Sequence, residues 1–373
     1  MPEVNIIAFP KYEPRGPSSR LRFYQFEPEF QKQGVCITYH PLFGDAYVQA
    51  LVSGQPRSRR LVLQAYWQRF WHLLTLHAAP DALLWIEKEL FPYVPAWIER
   101  CLLARFRCVV LDYDDAVFQL YLYHRNPGVR WVLGPKIASL LRGADGVQCG
   151  SRFLDAYAQE SGARNRGFLP TCIRLSAYRV KSYVGVQPKT PVVGWIGTPS
   201  SAGNLAAIRT ELNAVAQRFP FRLILIGSGK LDWSGDAFEL ETRDWDEARE
   251  VDQILEFDVG IMPLEDSPFN RGKCGFKLIQ YMACAIPVVA SPVGENSVIV
   301  SDGIEGFLAS ESEQWQQSLQ ALLSDFNLRQ KMGRAGRLRV EQYYCVEQQF
   351  ANLMGFLQST LWEREGRASE RSF

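Results

Sequence analysis

The segment PFNRGKCGFKLIQYMACAIPVVASPVGENSVIVSDGIEGFLA, residues 268–309, decides the fold. It runs from a Gly- and Lys-bearing loop through a short helical stretch and an apolar β-branched run to a second Gly-bearing loop. A helix entered through Gly272, Lys273, Cys274 and Gly275 points its first unsatisfied N–H groups backwards, a seat suited to phosphate. Lys273 and Lys277 add two cations to that seat. With residues 277–284 helical, Lys273, Lys277 and Gln280 fall at i, i+4 and i+7 along one face, leaving Ile279, Met282 and Ala283 for the core. The run PVVA at 287–290 predicts a buried strand. SPVG at 291–294 then brings backbone, with Gly294, beside the same place. The whole reads as a diphosphate cradle.

Working outward, short β-branched runs alternate with longer amphipathic stretches, the pattern of a parallel sheet wrapped by helices. Strands are predicted at 4–9, 35–40, 83–87, 109–112 and 146–149 in the first half. In the second half they fall at 192–196, 222–226, 259–262 and 287–290. Residues 171–190 lack sustained periodicity, and the QPKTP run at 187–191 favours extended backbone, so they predict a linker. The expected organisation is a domain over 1–170, the linker, a second domain over 191–345, and a terminal helix and tail over 346–373. Residues 311–363 read as two or three helices, and 364–373 as a frayed tail. Ligands of doubly wound sheets bind at the carboxyl ends of strands, so site residues should follow the predicted strands.

The segment around residues 272–296 resembles the C-terminal donor-site signature of glycosyltransferase family 4, the group 1 glycosyltransferases, in its branch written roughly GKCGFKLIQYMA followed by PVVASPVG. The match covers some forty residues in order, with weaker agreement along most of the chain. The resemblance implies an α/β chain of the GT-B fold: two Rossmann-like, doubly wound domains facing across a cleft, with the last helix crossing back to the first domain. It also implies sugar transfer from a nucleoside diphosphate sugar to a hydroxyl acceptor with retention of configuration and no dedicated metal ion. Family members commonly carry two glutamates eight residues apart. Aligned on Met282, Ala283 and Pro287, the second becomes Gln280, whose amide can still reach ribose hydroxyls. The first falls at Gly272, so that contact must come from Asp266 or a backbone group.

Further candidates follow other strands. The loop GTPSS at 197–201 offers Gly197 and Thr198 to donor phosphates or the transferred sugar, the alternative being a tight strand–helix turn. It lacks the GxGxxG spacing of a nicotinamide site. GSGK at 227–230 makes Gly227 a donor-side residue, and Trp245 suits a nucleobase or ordinary packing. In the first half, RGPSSR at 15–20 supplies Arg15 as an anion contact and Gly16 for close backbone approach. The acidic run DYDD at 112–115 invites a metal reading, since adjacent carboxylates suit Mg²⁺ or Mn²⁺. Its distance in sequence from the cradle favours an acceptor role for Asp114 and Asp115 instead, with Asp112 capping a turn. Glu87 is a second acceptor-side candidate. Lys273, Lys277 and Asp115 are the expected catalytic residues. The expected partners are a nucleotide sugar and a saccharide or lipid-linked acceptor.

Composition excludes several classes. Lysine plus arginine number 41 against 40 acids, so no global field draws nucleic acid. Eight cysteines lack CxxC spacing and histidines number four, which argues against a structural zinc site. Cys274 stands out as the cysteine in the cradle loop. No apolar run reaches membrane-spanning length and the N-terminus lacks signal-peptide character, so a cytoplasmic location is expected. Arg57, Arg59 and Arg60 precede a helix with Trp67, Phe70 and Trp71. That arrangement suits peripheral contact with the inner face of a membrane, although aromatics at helical spacing ordinarily predict core. Two other functions fit the missing glutamate pair or the fold: a sugar-nucleotide epimerase and a noncatalytic nucleotide-sugar-binding subunit.

Overall fold

Each half of the chain builds a six-stranded, all-parallel sheet. The structure, a computed structural model, describes residues 5–52, 58–76, 82–183, 190–231 and 233–370. The chain divides into two compact units, residues 1–171 with 349–373, and residues 172–348.

The first sheet contains β1 (Asn5–Phe9), β2 (Cys36–Tyr39), β3 (Leu83–Glu87), β4 (Cys108–Tyr113), β5 (Gly146–Cys149) and β6 (Arg166–Phe168), in the order β2-β1-β3-β4-β5-β6. The second contains β7 (Val192–Ile196), β8 (Arg222–Ile226), β9 (Glu239–Arg243), β10 (Val259–Met262), β11 (Val288–Ala290) and β12 (Gly306–Leu308), in the order β12-β11-β10-β7-β8-β9. Strands β3, β4, β7, β10 and β11 are buried at every residue. Helices cover both faces of such a sheet, which is why these strands read as continuous apolar runs. In each sheet the order reverses beside the first strand of its unit, the topological position where doubly wound folds bind ligands.

Every predicted strand is present, with Val4 lying outside the described residues. Three strands went unpredicted: β6, β9 and β12. All are short or charged. The sequence of β9, ELETR, lies at a sheet edge, where only Leu240 packs on the core and ion pairs engage its charged residues. Arg243 bonds Glu241 at 2.6 Å and Glu256 at 2.7 Å, and Arg222 bonds Glu241.

The segment expected as a linker packs onto the second unit over residues 172–183. Ile173 is buried there, and its N–H donates to the Tyr344 carbonyl at 3.0 Å. Lys181 donates to the Phe257 carbonyl at 2.7 Å, and Tyr183 to that of Ala285 at 2.8 Å. Gln187, Pro188 and Lys189 lie outside the described residues. The C-terminal part forms three helices, Ser312–Ser324, Phe326–Tyr343 and Val346–Glu370. The last is helical through residue 370, where a frayed tail was expected. No helix among the described residues is long and apolar enough to cross a membrane.

The helix Arg59–Thr75 overturns one expectation. Trp67 and Trp71 stand exposed rather than in the core. Its inward face is built on Leu73 and Arg69, whose guanidinium donates to the carbonyls of Pro10, His40 and Leu90. Arg57 lies outside the described residues.

Candidate functional site

In the second unit the parallel register aligns the ends of three strands. Ile196 pairs with Ile226, and Ile226 with Arg243. The next residues therefore emerge at one edge: Gly197, Gly227 and, one residue further, Trp245. They touch. An added Cβ at Gly227 would stand 2.3 Å from the Gly197 carbonyl oxygen and 3.2 Å from Trp245 Cβ, and φ there is +72°. Only glycine fits both constraints. An added Cβ at Gly197 would meet Lys277 Cε at 2.7 Å. The Lys277 ammonium lies 5.2 Å from the centre of the Trp195 ring. Lys277 thus lies against the carboxyl end of β7, beside the two glycines. Thr198 caps the short helix Pro199–Ala202 and is exposed.

The helix carrying Lys277 spans Phe276–Ala283, and its residues 278–283 are all buried. Tyr281 fixes it to the sheet by accepting a hydrogen bond from the Ile196 N–H at 2.9 Å. Gly275 precedes it with φ +65°. That left-handed residue breaks the register expected for Lys273, which sits before the helix rather than on its face. The Lys273 ammonium instead lies 4.9 Å from the Phe269 ring centre. Loop 291–294 closes on this segment: an added Cβ at Gly294 would stand 2.4 Å from the Arg271 carbonyl oxygen. Cys274 is buried. Asp266 pairs with Arg271 at 2.6 Å on the surface.

Gln280 requires a correction. It is 3% exposed, and its amide nitrogen donates to Glu250 Oε1 at 2.7 Å and to the Tyr178 hydroxyl oxygen at 3.2 Å. Glu250 also accepts from Tyr178 at 3.1 Å and from the Trp245 indole N–H at 2.6 Å. The amide is engaged inside the protein, so the expected ribose contact through it is not built. Glu250 thereby holds Trp245 and the helix together. Sequence reading missed Glu250 and Tyr178. Neither lies in a motif, and only folding brings them to the signature helix.

The first unit gathers a polar cluster at the carboxyl ends of β1, β3 and β4. Glu87 is 1% exposed and accepts from the Lys11 N–H and from the hydroxyls of Ser18 and Ser19. The same Ser18 oxygen lies 2.7 Å from Asp114 Oδ2, so its one proton is shared between the two carboxylates. Lys88, at φ +63°, places its ammonium 2.7 Å from Asp114 and 3.8 Å from Glu87. Burial opposes the Lys88 charge, but Asp114, Glu87 and Asp115 outweigh it and raise its pKa. Burial likewise pushes the Asp114 carboxyl up, and Lys88 with Ser18 more than reverses this.

Glu87 and Asp114 are therefore joined by Ser18 and Lys88, neither of which sequence reading singled out. Asp112 does not cap a turn. It forms a buried two-point pair with Arg22, at 2.6 and 3.1 Å. Burial pushes its carboxyl up to about 6 against that guanidinium. These partners tie the first and second acids of the DYDD run, Asp112 and Asp114, to internal cations rather than leaving them arranged for a metal. Asp115 is half-buried and its carbonyl accepts from the Val117 N–H at 2.8 Å. Arg15 stands apart, 58% exposed and 3.5 Å from Asp45. Gly16 allows a close approach, but to Tyr12, whose Cβ lies 2.3 Å from where its own would be.

Two doubly wound parallel units, each with polar groups gathered at its strand ends, are the architecture of the GT-B fold. Residues 190–325, within the second unit, match the family described as glycosyl transferases group 1. The fold is similar to that of sucrose-phosphate synthase from Thermosynechococcus elongatus, at TM-score 0.67 and 17% identity over 98% of this chain and 100% of that one. A glycosyltransferase from Rickettsia africae gives TM-score 0.68 at 11% identity over 97% and 99%. Anabaena Alr3699/HepE, in complex with UDP-glucose, gives 0.60 at 14% over 95% and 99%. No curated protein sequence matches the chain.

Proposed function

We propose that this protein is a glycosyltransferase that moves a sugar from a nucleoside diphosphate sugar to a hydroxyl on a glycan or lipid-linked saccharide, with retention of configuration. The observation that carries the reading is the contact of Lys277 with Gly197, beside Gly227 and Trp245, at the ends of β7 and β8. A fixed cation beside close-approaching backbone is what a departing diphosphate requires. Lys273, Gly275 and Gly294 frame the same helix entry, whose amides favour an anion. Trp245, anchored by Glu250, suits the nucleobase. Thr198 borders the sugar. In the first unit Asp114, Asp115 and Arg15 are the acceptor-side groups, with Glu87 and Gly16 shaping the loop beneath them.

In the proposed step the acceptor oxygen forms its bond to the anomeric carbon on the face from which the diphosphate leaves. The anomeric carbon–oxygen bond to phosphate breaks, and the acceptor proton passes to the departing phosphate oxygen. The lysines and amides supply the positive charge that a divalent cation would otherwise give, so chelation should leave the rate unchanged.

The test titrates UDP-, GDP- and dTDP-sugars by calorimetry, then follows the product anomer by NMR with an acceptor panel. Lys277→Ala should lower kcat/KM about 10²-fold, and Lys273→Ala should lower it in the same direction, with melting unchanged. Wild-type turnover in both variants removes the lysines from the mechanism. Donor conversion without acceptor indicates an epimerase instead.

A further inference from the structure

We propose that the helix Arg59–Thr75 docks the first unit onto an anionic lipid surface. Leu63, Trp67, Trp71 and Leu74 are 69%, 64%, 54% and 40% exposed, a dense group of large apolar side chains on one helix. At 100° per residue they fall with Arg60 inside an arc of about 80°. The opposite side carries buried Arg69 and Leu73. The exposed stripe therefore has no share in the core, and its spacing is that of a helix lying flat along a surface.

Charge selects the occupant. Between Asp45 and Asp81 the sequence holds no acidic residue, while Arg57, Arg59 and Arg60 cluster at and before the start of the helix. Arg59 and Arg60 are exposed at the start of the helix. At its far end Arg105, from a different helix–strand connection, donates to the Leu74 carbonyl at 3.1 Å and is itself exposed. The apolar stripe is thus bracketed by guanidinium groups at both ends. Paired indoles with arginines at their flanks match the boundary between headgroups and acyl chains, where tryptophan buries its ring and arginine meets phosphate. A second protein chain would have to offer a matching acidic rim, and the stripe itself offers no acid to pair in a self-complementary dimer.

The inference stands apart from the donor site, because lipid binding requires no nucleotide. Its test uses the full chain in co-sedimentation with phosphatidylcholine vesicles, with and without phosphatidylglycerol. Partitioning is expected into the anionic vesicles only and should weaken as salt rises. Arg59→Ser with Arg60→Ser should lower it roughly fivefold per arginine at low salt. Trp67→Ser with Trp71→Ser should lower it further at every salt concentration. Should a variant fail to fold, quenching of native tryptophan emission by brominated lipid reads the same contact without substitution. Equal partitioning of native and variant chains, indifference to phosphatidylglycerol, or absence of quenching would each overturn the proposal. A dimer abolished by the tryptophan pair, seen by sedimentation equilibrium, would overturn it in favour of a second copy.

Discussion

Replacing Glu250 with alanine probes the joint between the signature helix and the tryptophan beside Gly227. The carboxylate accepts from Gln280 at 2.7 Å, Trp245 at 2.6 Å and Tyr178 at 3.1 Å, in a residue about nine-tenths buried. Hydrogen bonds to a charged group contribute about 1.5–3 kcal/mol each. Gln280 and Tyr178 keep each other at 3.2 Å after the change, so the loss concentrates on the indole. A cost of about 2–4 kcal/mol follows. For a unit of this size each kcal/mol moves the midpoint by about 2–4 °C, giving a fall of roughly 4–16 °C. Glu250→Gln keeps the volume and one acceptor oxygen, so it should cost about half as much. Trp245 also loses its anchor, and affinity for the proposed nucleotide-sugar donor should fall in the alanine variant before any loss is seen in the glutamine one. Scanning calorimetry and a titration with the nucleotide sugar that the donor screen selects read both effects. If the alanine variant melts and binds like the native chain, the anchoring argument is wrong.

Other outcomes test the first unit. Arg22→Met leaves Asp112 buried beside β3 with its two-point partner gone, and should destabilise by about 3–5 kcal/mol in urea unfolding. Adding Asp112→Leu to that variant should recover much of the loss, because an apolar pair no longer strands a charge. The Lys88 and Asp114 pair predicts a stability plateau. The Asp114 carboxyl is held below its ordinary 3.8, so its contribution is present above that pH and lost as pH falls through the depressed value. The Lys88 ammonium is raised above 10.5, so its contribution is present below that pH and lost as pH rises through the elevated value. Stability from the pair should be flat between about pH 4 and pH 10, and Asp114→Asn should remove its acid-side decline in a series of melts.

The sequence was most legible where burial dominates. Central strands such as VVGWI and CVVLDY are apolar because both faces are covered, so their runs announce themselves. A charged edge strand announces little: ELETR carries arginine–glutamate pairs that only tertiary contact creates. The glycines at 197 and 227 were found because a loop after a strand is a recognisable place. Their mutual contact was not, since register rather than sequence brings them together. Helical spacing placed Trp67 and Trp71 on one face but not its direction, and the core took the side holding Arg69 and Leu73. Lys273 was misplaced by one left-handed residue, Gly275. Gln280 was misread because its partner, Glu250, lies 30 residues away.

The long helix Val346–Glu370 gives the chain an order of assembly. From residue 349 it belongs to the first unit, where Phe350 packs edge-on against Phe30 at 4.9 Å and Asn165 donates to Thr360 at 2.9 Å. Gly146 and Gly167, on β5 and β6, leave room for Phe356 and Thr360 that a Cβ would occupy. The sheet translated first therefore waits for a cover made only after the intervening residues 172–348 have emerged. At ribosomal speed that delay is about 10–35 s. During it the flank of β5 and β6 is open, so the nascent chain should present its most aggregation-prone surface, and its strongest claim on a chaperone, at that interval.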